Sequence, residues 1–423
     1  MLCVQIVHRV TSAIIPYPPP TPHNDRRFLA NAPATVIVRH VYASRRQRHL
    51  RQRRILAAAF LVLLIAVLAI AAWSFTGSRP GAAAAEPGTY TKVSTPKTGE
   101  RAKLAVWDGG GSETAVKGIY LTAYAAGSTN LEAYLKLLDR TELNAVVVDV
   151  KDVTGEVMYP SKVPLANEIG ATRNVIPNLK SLNKQFQDRD VYTIARVAVF
   201  EDDILPRERP DLAVTDSSTG APWLNNAGQS WSNQYSKEVW KYNVAIAKEA
   251  AEAGFDEIQF DYIRFPSDGP METVEYGEET FPKQEEALAG FLEYASDELE
   301  PLDVRLAADV FGLAATQDGA GVGQFIDTLA PHLDVICPMV YPSHFPPGSY
   351  GYPDPNSEPY KIIENAMADF EKKTKDANPN IEIRPWLQDF SLGTPPYGPA
   401  EIRSQMDATY DSPATGWLRW NAS

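Results

Sequence analysis

FDEIQFDYIRFP, from Phe255 to Pro266, follows helix-like sequence that stops at Ala253-Gly254. The stretch alternates. Ile258, Phe260 and Tyr262 fall on one face and Glu257, Gln259 and Asp261 on the other, the two-residue period of a strand. It carries a carboxylate near its C-terminal end and then breaks at a proline. That is the pattern of a strand in an α/β barrel, where chemistry sits at the C-terminal strand ends.

Outward from this stretch, strands and helices take turns. Strand-like segments fall at 117–124, 144–151, 191–200, 256–264, 305–311, 334–341, 382–389 and 415–421. Helical periodicity falls near 130–140, 177–188, 236–253, 283–300, 322–330, 359–375 and 399–409. Eight strands with seven intervening helices predict parallel strands and right-handed crossovers. They predict one closed (β/α)8 TIM barrel over 116–423, of class α/β. An open doubly wound sheet is the alternative, but it usually opens on a glycine-rich first turn. Tyr124-Ala125-Ala126-Gly127-Ser128 is a poor one. The longest connections, 201–235 and 266–282, follow the third and fourth strands on the expected active face. Loops of that length are usually functional.

In this register polar groups gather at the C-terminal strand ends: Asp149 and Lys151, then Glu201, Asp202 and Asp203, then Asp261, Asp309, Tyr341, Gln388, Asp389, Trp420 and Asn421. Asp309 alternates with Ala308 and Val310, so it faces the lumen as Asp261 does, from the adjacent strand. Two carboxylates around one cleft suit glycoside hydrolysis. One protonates the leaving oxygen, and the other attacks the anomeric carbon or activates water. The pair must sit in unequal environments, so that one ionises and the other keeps its proton. Trp223, Trp231, Tyr262, Tyr341, Trp386 and Trp420 offer faces for sugar rings. Each has a plainer alternative as packing, as each acid has one as a helix cap or ion-pair partner. Asp149 with Lys151 reads as an ion pair closing the mouth, Arg196 as a luminal neutraliser of the acids and Arg264 as a loop brace. Trp240 and Tyr242 read as core.

Composition bounds the rest. The content of 44% hydrophobic and 22% charged residues is that of a globular protein. The chain carries −13, yet residues 1–54 hold ten Arg and one Asp, about +9, which leaves about −22 on the remainder. That acidity argues against nucleic acid, whose phosphates need a basic face. Residues 55–75, ILAAAFLVLLIAVLAIAAWSF, are free of charge over 21 residues and follow six Arg between 45 and 54. The run is long enough to span a ~30 Å hydrocarbon core. The Arg cluster sets a cytoplasmic N-terminus and an extracellular remainder. A cleaved signal peptide is the competing reading. The expected organisation is a basic, disordered cytoplasmic tail at 1–54, a single-pass cell-membrane helix at 55–75, a flexible tether at 76–115 and the barrel.

Cys3 and Cys337 fall on opposite sides of that membrane, so no disulfide or Cys-based metal site is expected. His332 and His344 make no zinc pair, no calcium loop occurs, and no metal or cofactor is expected. The absence of a G-x-x-x-x-G-K-[ST] loop argues against a nucleotide.

FDEIQFDYIRFP, Lys117 to Tyr120 with the loop that follows, Val147 to Asp152 (VVDVKD), Arg384 to Phe390 (RPWLQDF) and Gly416 to Ala422 (GWLRWNA) together resemble the "putative glycoside hydrolase domain" of bacterial exported proteins. That family was long catalogued as a domain of unknown function and is related to the α-amylase-like barrels. The resemblance covers roughly 116–423. It implies a (β/α)8 fold and a carbohydrate substrate. It also implies a strand-four Asp as nucleophile, matched by Asp261, and a strand-five Glu as acid/base, where this chain has Asp309. The resulting expectation is a membrane-anchored extracellular glycosidase. Asp261 serves as nucleophile or base and Asp309 as general acid. Asp149, Lys151, Arg196, Gln259, Tyr341, Trp386, Gln388 and Trp420 bind substrate. A non-catalytic carbohydrate or cell-wall binding barrel is the first rival, and a metal-dependent polysaccharide deacetylase the second.

Overall fold

A computed structural model describes residues 115–277 and 281–421. The strands are β1 Val116–Leu121, β2 Ala145–Lys151, β3 Tyr192–Ala198, β4 Glu257–Asp261, β5 Arg305–Phe311, β6 Val335–Met339, β7 in two pieces, Glu382–Ile383 and Trp386–Gln388, and β8 Gly416–Trp420. Each pairs in parallel with the next, and β8 returns to β1 with Val116 opposite Gly416. The sheet closes, so the fold is the (β/α)8 barrel and not the open alternative.

Among the described residues each crossover carries a helix that packs on the barrel: α1 Leu131–Arg140, α2 Leu179–Gln187, α3 Lys237–Glu252, α4 Gln284–Leu299, α5 Ile326–Leu329, α6 Pro359–Thr374 and α7 Pro399–Tyr410, with further short helices at Ala123–Ala126, Pro164–Glu168 and Leu205–Glu208. The α3 helix shows why they form. Ser236 caps it by accepting from the Val239 N–H, the N-cap role for which serine is favoured. Val239, Trp240, Asn243, Ile246, Ala247 and Ala250 then return every three or four residues to one buried stripe. Gly254, at φ 94°, turns the chain into β4. The α5 helix is shorter than its expected 322–330, because Gly319, Gly321 and Gly323 take positive φ and hold the preceding segment in turns.

Two apolar layers result. The larger lies between strands and helices and includes Ile258, Phe260 and Phe291. The smaller fills the lumen with Val147, Ile194, Ala307, Cys337, Trp386 and Leu418. Below that plug, at the N-terminal strand ends, Arg384 holds both Glu257 oxygens at 2.8 and 2.9 Å, and Tyr192 donates to Glu257 at 3.0 Å.

Three expectations about the strands need correction. β4 ends at Asp261, not Arg264. Tyr262 turns to φ 54°, and its N–H donates to Asp261 Oδ1 at 2.6 Å. Tyr262 therefore leaves the face of Ile258 and Phe260. β7 is interrupted because Pro385 lacks the N–H that a ladder needs. In β2 the register shifts between Asp149 and Lys151, so these two residues do not share the lumen.

The long connections after β3 and β4 zip together. Thr215 and Asp216 pair antiparallel with Glu275 and Val274, and Trp223 donates to the Pro270 carbonyl at 3.1 Å. Among the described residues no helix is long and apolar enough to cross a membrane. The expected tail, the span 55–75 and all but the last residue of the tether lie outside the described residues.

Candidate active site

Alternation along the barrel strands brings one layer of side chains to the C-terminal mouth. From β1 comes Tyr120, from β2 Asp149, from β3 Arg196, from β4 Asp261, from β5 Asp309 and from β8 Trp420. Arg196 is the hub. Its Nη1 donates to Asp149 Oδ1 at 2.6 Å, and its Nη2 and Nε donate to Asp261 Oδ2 at 2.5 and 3.0 Å. The same Nε lies 3.9 Å from Asp309 Oδ2. The Asp261 and Asp309 oxygens are therefore no farther apart than the sum of those two lengths. This upper limit lies below the far end of the ~6.5–9.5 Å spacing of inverting glycosidases.

The acids differ in environment. Asp309 is 1% exposed, and its Oδ1 accepts from Trp386 Nε1 at 2.6 Å. Burial, then the charge of Asp261, pushes its carboxyl well above the usual range. Burial also raises Asp149, against the pull of Arg196. Asp149 accepts a hydrogen bond from the Tyr120 hydroxyl as well. One guanidinium serves three carboxyls in this low-dielectric layer, so the three do not all ionise together.

The aromatic expectation divides. Trp420 stacks on Tyr120 with centroids 4.1 Å apart, lies 5.3 Å from the Arg196 guanidinium and is only partly buried. Tyr341 meets Phe390 and His344 edge-on. Its phenol is pushed well up by burial and by the charges of Asp309 and Asp261, which places it beside them. Trp386, in contrast, is buried and holds Asp309. Trp223 and Trp231 are buried too. These three tryptophans pack, and they leave no open face for a sugar. Trp240 and Tyr242 are core, as their helical spacing implies.

Three further residues are not where their expected roles need them. Lys151 turns toward the helix layer, where it pairs with Asp202 at 2.8 Å and donates to the Ala198 carbonyl at 2.7 Å. It is fully buried, lies over the Tyr242 ring of α3 and forms no pair with Asp149. Gln388 spends its amide on the loops, accepting from Ser343 N and donating to the Phe390 carbonyl, each at 3.0 Å. Gln259 sits a layer below Asp261, fully buried and beside Cys337.

Glu201, one of the polar groups expected after the third strand, follows β3. Its Oε2 is 3.2 Å from Arg264 Nη2, and its Oε1 accepts from Asn225 Nδ2 at 3.2 Å. Arg264 stacks over Trp231 and Tyr262 at 4.6 and 5.1 Å and reaches Phe311 at the end of β5 at 5.2 Å. Burial, only partly offset by Arg264, raises Glu201 to about 7. Strand parity from Arg196 puts Glu201 on the outer face. β3 ends at Ala198, though, so parity no longer applies. Among the described residues no cluster of His, Cys, Asp and Glu is arranged to hold a metal ion.

Comparison with solved structures agrees with the fold. The glycoside hydrolase domain of PgaB (BpsB) from Bordetella bronchiseptica aligns over 73% of this chain and 94% of its own, at 15% identity and a TM-score of 0.51. A hypothetical protein from Ruminiclostridium thermocellum ATCC 27405 is 40% identical over 45% of this chain and 96% of its own, with a TM-score of 0.42. Curated proteins gave no match. The family model described as "Putative glycosyl hydrolase domain" matches residues 118–423, the whole barrel from β1 onward, and the chain belongs to that family.

Proposed function

We propose that the barrel mouth hydrolyses the glycosidic bonds of a polysaccharide or cell-envelope glycan. The observation that carries this reading is the unequal set of carboxyls around Arg196. Asp261 takes two guanidinium N–H bonds on one oxygen, an arrangement suited to a carboxylate, while Asp309 is held neutral against it. Asp261 attacks the anomeric carbon or deprotonates the water that does, and a neutral carboxyl beside it supplies the proton. The luminal register alone offers Asp309 for that role. Asp149 and Tyr120 fix Arg196 from the other side. Trp420 and Tyr341 offer partly open ring surface and a phenol to the sugar.

Hydrolysis has a distinctive product. We expect digestion in ¹⁸O-labelled water to place one heavy oxygen at the new reducing end of each released fragment, read by mass spectrometry. Fragments without label, or with an added double bond, would point to another bond-breaking chemistry.

The proposal extends to location. The apolar run at 55–75 behind its Arg cluster supports a single-pass anchor with the barrel outside the cell. Protease added to intact cells should then remove the barrel while a cytoplasmic marker survives. Barrel protection equal to the marker's would reject the orientation.

A further inference from the structure

Glu201 occupies a place that the register of the lumen does not explain. Beyond the end of β3 the chain stays beside β4. Val199 N donates to the Asp261 carbonyl at 2.9 Å and Phe200 N to the Tyr262 carbonyl at 3.4 Å. Glu201 is thus the next residue toward the C-terminal face, just past the level of Asp261. Its backbone bridges to Trp231.

The residue after it is pinned. Asp202 is locked to Lys151 at 2.8 Å, and its Oδ1 accepts from the N–H groups of Ile204 and Leu205 at 2.9 and 2.8 Å. Asp203 Oδ1 in turn accepts from Ser230 N at 2.8 Å. A carboxyl on an anchor of this kind keeps its position, which acid–base work requires.

Asp309 is placed differently. It lies in the luminal layer below the loops, 1% exposed, with one oxygen taken by Trp386. Glu201 is 6% exposed, as is Asp261, and lies in the loop layer through which a glycan must enter. Of these two buried carboxyls, Glu201 is the one on the side of the leaving group.

We infer that Glu201 is the acid/base group of the reaction, the carboxyl that protonates the glycosidic oxygen. This rests on the glycosidase reading above and replaces Asp309 in that one step. The Glu201 proton passes to the glycosidic oxygen, and the C–O electron pair leaves with the departing sugar. The anomeric carbon takes its new oxygen from a water whose proton Asp261 accepts, or first from Asp261 itself; in the second case a water then attacks the same carbon, its proton passes to the Glu201 carboxylate and the carbon–Asp261 bond breaks. Arg264 stabilises the Glu201 carboxylate that remains, and water restores its proton. Asp309 stays neutral and holds the position of Asp261 through Arg196. Burial raises Glu201 to about 7, close to the pH at which a proton donor works best.

The test uses the full chain and follows new reducing ends from bacterial exopolysaccharides, cell-wall glycans and α-glucans across pH. An acid must be protonated to act, so the wild-type rate should fall as pH rises through about 7. Glu201→Gln should lose about 10²–10⁴-fold in turnover per folded molecule, with a thermal melt fixing the folded fraction because Arg264 loses its partner. Arg264→Met removes the cation that opposes protonation, so the alkaline limb should move to higher pH. A role limited to packing would not move it. Asp309→Asn should keep the limb where the wild type has it. An active wild type whose Glu201→Gln variant retains both rate and limb, or whose Arg264→Met limb stays in place, overturns the assignment of Glu201. A wild type that releases nothing from any of these glycans overturns the glycosidase reading itself.

Discussion

Asp261→Asn is expected to lower turnover by about 10⁴-fold, the upper end of what a positioned acid–base group contributes, while the barrel melts as before. The two halves of this expectation have separate causes. Asparagine has the shape of aspartate, and its one carbonyl oxygen can keep the two Arg196 bonds made to Oδ2, at the loss of the single Tyr262 N–H bond made to Oδ1. Arg196 keeps its 2.6 Å contact to Asp149, so the guanidinium is not left without a carboxyl partner in the lumen. The variant also removes the repulsion between Asp261 and Asp309. What it loses is the charge that attacks carbon or takes a proton from water. Steady-state kinetics beside a thermal melt checks both halves. A variant that is inactive only because it has unfolded would say nothing in favour of the site.

The largest stability effect is expected at the opposite end of the barrel. Arg384→Met should cost about 3–5 kcal/mol, the usual cost of removing one partner from a buried ion pair. Arg384 and Glu257 are both fully buried, and their contact is bidentate. After the substitution, Glu257 keeps only the Tyr192 hydroxyl, at 3.0 Å. Arg305, whose charge also acts on Glu257, offsets only part of the loss, because it pairs with Glu382 at 3.0 Å and Glu382 itself loses Arg384. Adding Glu257→Gln should recover much of the loss, since the remaining group is then neutral. Denaturant midpoints of the single and double variants measure this, and additive losses would show that the pair is not the source. Turnover per folded molecule should be unaffected, because the pair lies at the N-terminal ends of the strands and the candidate site at the C-terminal ends.

The barrel was legible because its signals are local. Period-two segments alternate with helical stripes such as Val239, Trp240, Asn243 and Ile246, and residues of this kind declare their partners by spacing alone. The central acids were legible for the same reason. Asp149, Arg196, Asp261 and Asp309 fall on luminal parity within regular strands, and the structure gathers them. Errors arose where regularity stops. One register shift in β2 sends Lys151 to the helix layer. One left-handed residue, Tyr262, ends β4 early. Past such points parity carries no information, so Glu201 falls among the polar groups after the third strand without a role, and Arg264 reads only as a loop brace. Nor does sequence separate a packed tryptophan from an exposed one. Trp223, Trp231 and Trp386 read as sugar platforms as readily as Trp420, and only tertiary burial tells them apart. Gln388 and Gln259 were placed at the site by position alone. Their amides answer to loop backbone and to Cys337.

The measurement that bears most directly on the central claim compares the full wild-type chain, purified in detergent, with Asp261→Asn. Both are incubated with the same exopolysaccharides, cell-wall glycans and α-glucans, with new reducing ends and retained binding followed together. Glycan cleavage by the wild type, with binding but no cleavage by Asp261→Asn, is the predicted result. Binding by both proteins with no new reducing ends from either would contradict it and leave a carbohydrate-binding barrel in its place.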